Sequence, residues 1–229
     1  MEDTMPRLNT SLLVFDVNET LSDMSPLQSR FAAIGAPPHL FQLWFAAVLR
    51  DGFALTAAGA YADFTAVARA EMGALLSSMP GWSGDIEQAT ERVLDGFPHL
   101  EVHPDVPYGV RALHERGFRL VTMTNGSAKL SERLLGRAGL TDCFESHLDV
   151  SGPQSWKPAR AAYRYVVEQS GVRPDEAVLV AAHPWDVDGA QRAGLGGAWL
   201  RRNATQYPQV MKPPTYTVGT LSELVEILA

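Results

Sequence analysis

Leu12-Leu13-Val14-Phe15-Asp16-Val17-Asn18-Glu19-Thr20-Leu21 is the stretch from which the rest of the chain can be ordered. Four apolar residues in a row, two of them aromatic or β-branched, predict a short strand buried on both faces, the signature of a parallel sheet. The run stops at Asp16. In open α/β sheets ligands bind in the crevice beyond the carboxyl ends of the strands, so a carboxylate placed there is either a turn residue or a candidate nucleophile. The remaining sequence must supply partners for it.

Downstream the character changes twice. From Ser25-Pro26 to about Phe97 the chain is rich in Ala and Leu, with apolar spacing of three and four, as in Phe41, Trp44, Phe45, Val48 and Leu49. Helices are expected over 27–34, 39–50, 60–76 and 85–94, separated by Gly35, Pro37-Pro38, Asp51-Gly52, Gly59 and Pro80-Gly81, with no strand among them. From His99 onward the pattern alternates: helix 107–116, strand 118–124, helix 127–138, strand 144–150, helix 158–170, strand 177–181, helix 186–193 and strand 198–200. Thr220-Leu221-Ser222-Glu223 has the form of a capping box opening a last helix. Alternating strands and helices imply a parallel sheet covered on both faces, a Rossmann-like α/β core. An isolated buried strand has no partner among helices, so the first strand belongs with the later ones. The expected organisation is a discontinuous core, 1–21 with 99–229, and an inserted helical cap, 22–98.

The bulk properties narrow the function. At 229 residues, with 46% hydrophobic and 20% charged content, the chain has the composition of an ordinary globular protein. A net charge of −7 argues against nucleic acid or an anionic membrane as partner. Cys143 is the single cysteine, which rules out an intrachain disulfide and suits a reducing compartment. Residues 1–9 show no signal peptide or membrane span, and a cytoplasmic protein is expected. His39, His99, His103, His114 and His147 show no spacing typical of metal ligands.

Four strand ends converge on one crevice. The first carries Asp16, Asn18 and Thr20; the second ends in Thr124-Asn125-Gly126-Ser127; Ser155-Trp156-Lys157-Pro158 precedes a later helix; and His183-Pro184-Trp185-Asp186 follows the strand at 177–181. A lysine beside Asp16 would lower its pKa and keep it ionised for attack, and Asp186 is a candidate both for the site and for a helix N-cap.

In this order the motifs resemble the haloacid dehalogenase (HAD) superfamily, and within it the type II, L-2-haloacid dehalogenases. The resemblance covers nearly the whole chain. It implies hydrolytic conversion of short 2-haloalkanoic acids to 2-hydroxy acids, with inversion, through an aspartyl ester. Asp16 matches the nucleophile, Thr20 the hydroxyl that supports it, Asn125 the amide near substrate and halide, Lys157 the charge that holds the nucleophile, and Asp186 the group that fixes the lysine and helps to activate water. Thr124 stands where the family has a carboxylate-binding Ser, and Phe64 and Trp185 match pocket walls. A homodimer, a small halogenated carboxylate as the ligand, and chemistry that needs neither metal nor cofactor are implied as well.

Several positions depart from the pattern. Asn18 replaces an aromatic wall, Glu19 follows it, Phe45 stands where typical members carry a halide-contacting arginine, and Ala181-Ala182-His183 replaces Ser-Ser-Asn. The alternatives are a magnesium-dependent phosphatase and an altered member that only binds a small carboxylate. Against the phosphatase, Asn18 replaces the acid that must protonate the leaving alcohol, and Ala182 occupies a metal-ligand position.

Overall fold

The computed structural model describes residues 10–202 and 206–228, so residues 1–9, read above as free of a targeting segment, lie outside the described residues. Strand β1 (Leu12–Phe15) is followed by a two-residue strand β2 (Ser22–Asp23) and four helices: α1 (Leu27–Ala33), α2 (Leu40–Ala57), α3 (Phe64–Ser78) and α4 (Ile86–Leu94). Strand β3 (Glu101–Val102) opens the remainder, which runs through α5 (Val106–Glu115), β4 (Arg119–Thr124), α6 (Ala128–Arg137), β5 (Ser146–Asp149) and α7 (Arg160–Ser170). It closes with β6 (Ala177–Ala181), α8 (Pro184–Ala193), β7 (Gly196–Leu200), β8 (Tyr216–Val218) and α9 (Leu221–Ile227).

The main sheet is six-stranded, in the order β5-β4-β1-β6-β7-β8, and every pairing in it is parallel. Strand β1 lies at its centre and is wholly buried, as four consecutive apolar residues require when both faces are covered. Leu12 and Val14 face one apolar cluster together with Val121, Leu179 and Trp156, and Leu13 and Phe15 face another with Val110, Val180 and Leu224. The chain passes from β1 to β4 on one side and returns to β6 on the other. The crevice beyond the carboxyl end of β1 is therefore the switch point of the sheet.

The structure adds to the sequence reading at three points. Flanking the helical stretch, which itself holds no strand, β2 pairs antiparallel with β3, Ser22 with Val102 and Asp23 with Glu101. Two residues are too few to show a period of two in sequence. Helix α2 does not stop near Arg50 but runs through Asp51-Gly52 to Ala57. Gly52 is there for packing, not termination, since a Cβ on it would lie 2.3 Å from the Trp156 ring. Third, β8 adds an edge strand that three residues shortly after Pro213-Pro214 did not announce.

Helix starts follow local chemistry. Asp63 and Asp85 cap α3 and α4, accepting from the backbone N–H of Ala66 and Gln88 at 2.8 Å each. Thr220 accepts from Glu223 N–H at 3.2 Å, while the Glu223 carboxylate reaches past the cap residue to Gly219 N–H at 2.8 Å. The helical stretch is tied to the sheet region beside the crevice. Trp156 donates from its indole to Ala62 O at 2.9 Å and from its backbone to Thr56 Oγ1 at 3.0 Å. Among the described residues no helix is long and apolar enough to cross a membrane.

Candidate active site

Asp16 follows β1 directly, and its backbone N–H continues the ladder to Val180 O at 3.1 Å, which fixes where its side chain emerges. The carboxylate is buried, and its two oxygens have different partners. Oδ1 accepts from Lys157 Nζ at 2.8 Å. Oδ2 accepts from the Thr20 hydroxyl at 2.6 Å and lies 3.3 Å from His183 Nδ1. Thr20 is itself held by Ala182, whose N–H donates to its Oγ1 at 2.9 Å.

Lys157 is fully buried and bridges two carboxylates, with Nζ 2.5 Å from Asp186 Oδ2. Its backbone is clamped by Asn125, whose Oδ1 accepts from Lys157 N–H at 2.8 Å and whose Nδ2 donates to Lys157 O at 3.2 Å. Asn125 thus sets the height of the lysine in the crevice. The cis peptide bond Lys157-Pro158 follows. Asp186 sits within the first turn of α8, whose N-cap position is His183, so the expected capping role does not apply. Its second oxygen, Oδ1, accepts from the Tyr163 hydroxyl at 2.6 Å.

His183 is bound at both ring nitrogens: besides Asp16, Nε2 lies 2.8 Å from Glu19 Oε2. Trp185 stacks on the imidazole, ring centroids 5.0 Å apart, and meets Phe53 edge-on. Glu19 has a left-handed backbone (φ 61°) and its carbonyl lies 3.2 Å from His103 Nε2.

The electrostatics follow from burial and pairing. Burial opposes the charge on Asp16, but the Lys157 ammonium and the His183 bond outweigh it and hold its carboxyl well below the usual range. Burial likewise opposes the charge on Lys157, but Asp16 and Asp186 keep its pKa raised. Asp186 is shifted up by burial, with Lys157 pulling the other way and the charge of Asp16 adding to the rise. Burial would neutralise His183, yet its bonds to Asp16 and Glu19 push it up to about 9, an imidazolium at neutral pH.

A cavity of about 300 Å³ opens beside this cluster, lined by Asn18 and Thr124 among others, with Phe64 on its wall. Thr124 Oγ1 accepts from Gly126 N–H at 2.9 Å. Phe45 is not in the lining: it stacks on Phe41 at 6.0 Å and packs behind Phe64 at 6.4 Å. Among the described residues no arginine lines the cavity. The residues do not fit a divalent cation in the manner of the phosphatases. Ala182 offers no ligand atom at the position in question, and among the described residues no three His, Cys, Asp or Glu side chains converge at metal-binding spacing.

Two members of the cluster were not anticipated as site residues. Tyr163 sits among Ala162, Val166 and Val167 on the buried face of α7, where a tyrosine reads as core. The only clue is general: a buried phenol needs a partner. Glu19 was recognised as a departure but not as the partner of His183. Gly189 on α8 makes the arrangement possible, since a Cβ there would lie 2.6 Å from Pro158 and 2.7 Å from the Tyr163 hydroxyl.

Comparison with known proteins bears on the family and the fold. A family model described as haloacid dehalogenase-like hydrolase matches residues 10–194. Haloacetate dehalogenase H-2 of Moraxella sp. (strain B) is 28% identical over 62% of this chain and 64% of its own length. (S)-2-haloacid dehalogenase 1 of Pseudomonas sp. (strain CBS-3) is 26% identical over 94% of this chain and 95% of its own. In fold, the chain superposes on the L-2-haloacid dehalogenase from Xanthobacter autotrophicus with chloropropionic acid covalently bound. The TM-score is 0.83 at 23% identity, covering 96% of this chain and 98% of that one.

Proposed function

Because the chain belongs to the haloacid dehalogenase-like hydrolases, we propose that it hydrolyses the carbon–halogen bond of 2-haloalkanoic acids, yielding 2-hydroxy acids through an ester on Asp16. The observation that carries this reading is the unequal dress of the Asp16 carboxylate. Among the described residues Oδ1 has a single partner, Lys157, and keeps a free lone pair, whereas Oδ2 faces both Thr20 and His183. Oδ1 is the nucleophilic atom. It attacks C2 from the side opposite the halogen, the halide leaves with the bonding pair, and the configuration inverts. Splitting the displacement into ester formation and ester hydrolysis replaces one difficult step by two easier ones.

Once Asp16 is esterified it no longer carries the charge that holds the proton on His183. The imidazolium then gives a proton to solvent, and neutral Nδ1 accepts one from the water that attacks Cγ of Asp16. Glu19 keeps Nε2–H as donor and fixes the tautomer. The developing oxyanion on Oδ2 is stabilised by the Thr20 hydroxyl, and Lys157 stays beside Oδ1. Collapse breaks the Cγ–Oδ1 bond, the alkoxide takes the proton from His183, and the acid proton of Asp16 restores the imidazolium. Asp186 and Asn125 position Lys157 through its ammonium and its backbone. Thr124 and Asn18 bind substrate, Phe64 forms a wall, and Trp185 steadies His183.

Residues 22–98 act in this scheme as the cap over the crevice. The family resemblance carries a homodimer and a cytoplasmic location with it, and light scattering of the purified protein tests the first. The reading itself is tested by halide release from chloroacetate and from both enantiomers of 2-chloropropionate, beside Asp16→Asn. Release by the wild type alone is expected; none above the variant would overturn it.

A further inference from the structure

The cavity beside the nucleophile is larger than a two- or three-carbon acid needs. A three-carbon haloacid has roughly six non-hydrogen atoms, whereas about 300 Å³ corresponds to roughly ten waters at their share of liquid volume. Asn18, two residues beyond Asp16, and Thr124 meet at Gly126, where a Cβ would lie 3.3 and 3.2 Å from them. Six apolar side chains, Phe64, Leu94, Phe97, Leu100, Leu130 and Leu134, share the rest of the lining with serine, threonine and tyrosine hydroxyls. Leu130 and Leu134 lie one turn apart on α6, so a helix face, not a mobile loop, forms one wall. Among the described residues no Lys, Arg or His lines the cavity, while Asp63 and Asp149 do. Both carboxylates are fixed by helix-end duties, to Ala66 N–H and to Ala128 N–H at 2.8 Å each. They cannot swing away from a second anionic group.

Resting on the haloacid reading above, we propose that the substrates of this enzyme include 2-haloacids whose C2 substituent is an unbranched alkyl chain of about four to six carbons, seated among these six apolar side chains, and exclude 2-halodicarboxylates. The halogenated carbon lies at the Asn18 and Thr124 end, next to Asp16, and the tail fills the body of the cavity. Asp63 and Asp149 repel a terminal carboxylate.

Inert acids test the cavity without turnover. Titration calorimetry of the wild type with the n-alkanoates from propionate to octanoate is expected to show the dissociation constant falling about fourfold per added methylene. Adipate should bind at least tenfold more weakly than hexanoate. Leu130→Trp and Leu134→Phe, each checked for folding by its melting temperature, should remove the dependence on chain length. In turnover, 2-bromohexanoate should exceed 2-bromopropionate at least tenfold in kcat/KM. Affinity that is flat across the series, or a slope that persists in both folded variants, overturns the proposal. The two readings fail separately: bromide released from 2-bromopropionate with a flat alkanoate series sinks this inference alone, whereas a steep series with no bromide from any acid sinks dehalogenation and leaves the cavity assignment standing.

Discussion

The Tyr163 hydroxyl donates to Asp186 Oδ1 at 2.6 Å, taking up the carboxylate oxygen that Lys157 leaves free. Asp186 is wholly buried, so both its oxygens must find partners inside the protein. Tyr163→Phe removes one of them without changing the packing volume. A loss of about 1–3 kcal/mol in stability is expected from the unsatisfied oxygen, together with a fall in kcat as Lys157 loses its fixed counter-group. Urea denaturation and steady-state halide release measure the two effects; an unchanged midpoint would show that the hydroxyl is dispensable to Asp186.

Lys157→Met makes a sharper case. It leaves Asp16 and Asp186 buried with no cation between them, and breaking such a pair costs about 3–5 kcal/mol. Asp186, left with the Tyr163 hydroxyl but no cation, would then have its pKa raised further above that of the unfolded chain, while Asp16 keeps His183. Such groups contribute stability below their unfolded pKa and lose it as pH rises through the folded value, so the variant should regain stability on acidification. Denaturation midpoints at pH 5 and pH 7 check the sign. Halide release should drop by at least about 10²–10³.

His183 sets the stability profile on the alkaline side. Its pKa rises from 6.5 to about 9 on folding, so its contribution is complete below pH 6.5 and is lost as pH climbs to 9. That interval corresponds to about 3 kcal/mol for the isolated group. His183→Asn should flatten the decline in stability between pH 6.5 and 9 and, on the proposed mechanism, lower kcat by removing the base. Asp16 shapes the acid side in the opposite sense. Its pKa falls below 3.8 on folding, so its contribution is present above 3.8 and disappears only at lower pH. A wild type whose midpoint does not change between pH 6.5 and 9 would contradict the assignment.

Gly189→Ala places a methyl group against Pro158 and the Tyr163 hydroxyl, at 2.6 and 2.7 Å. Overpacking of this kind costs about 1–3 kcal/mol. Because the displaced atoms flank Lys157 and hold Asp186, kcat should fall more than KM rises. A variant with wild-type kcat would show that α7 and α8 can separate without moving the lysine.

The central strand and its terminal carboxylate were legible because a run such as Leu12–Phe15 has few alternatives when strands and helices alternate downstream. Lys157 and Asp186 were legible through the motifs around them. What escaped was set by three-dimensional contact. Tyr163 has the spacing of a core residue, and only its hydroxyl gives it a task. Gly52 looked like a helix stop because its actual constraint, the face of Trp156, lies about a hundred residues away in sequence. Glu19 became a partner of His183 through a left-handed backbone turn that no periodicity encodes.

The short ribbon of β2 and β3 pairs Ser22 with Val102 and Asp23 with Glu101, so the polypeptide departs from the sheet and rejoins it at one doorway. Whatever is strung between those two strands leaves Asp16, just past the end of β1, where it was. Substitutions within the excursion, at Phe64 or Phe97, can therefore reshape the roof over the cavity while the hearth beneath it, Asp16 with Lys157, stays as it is.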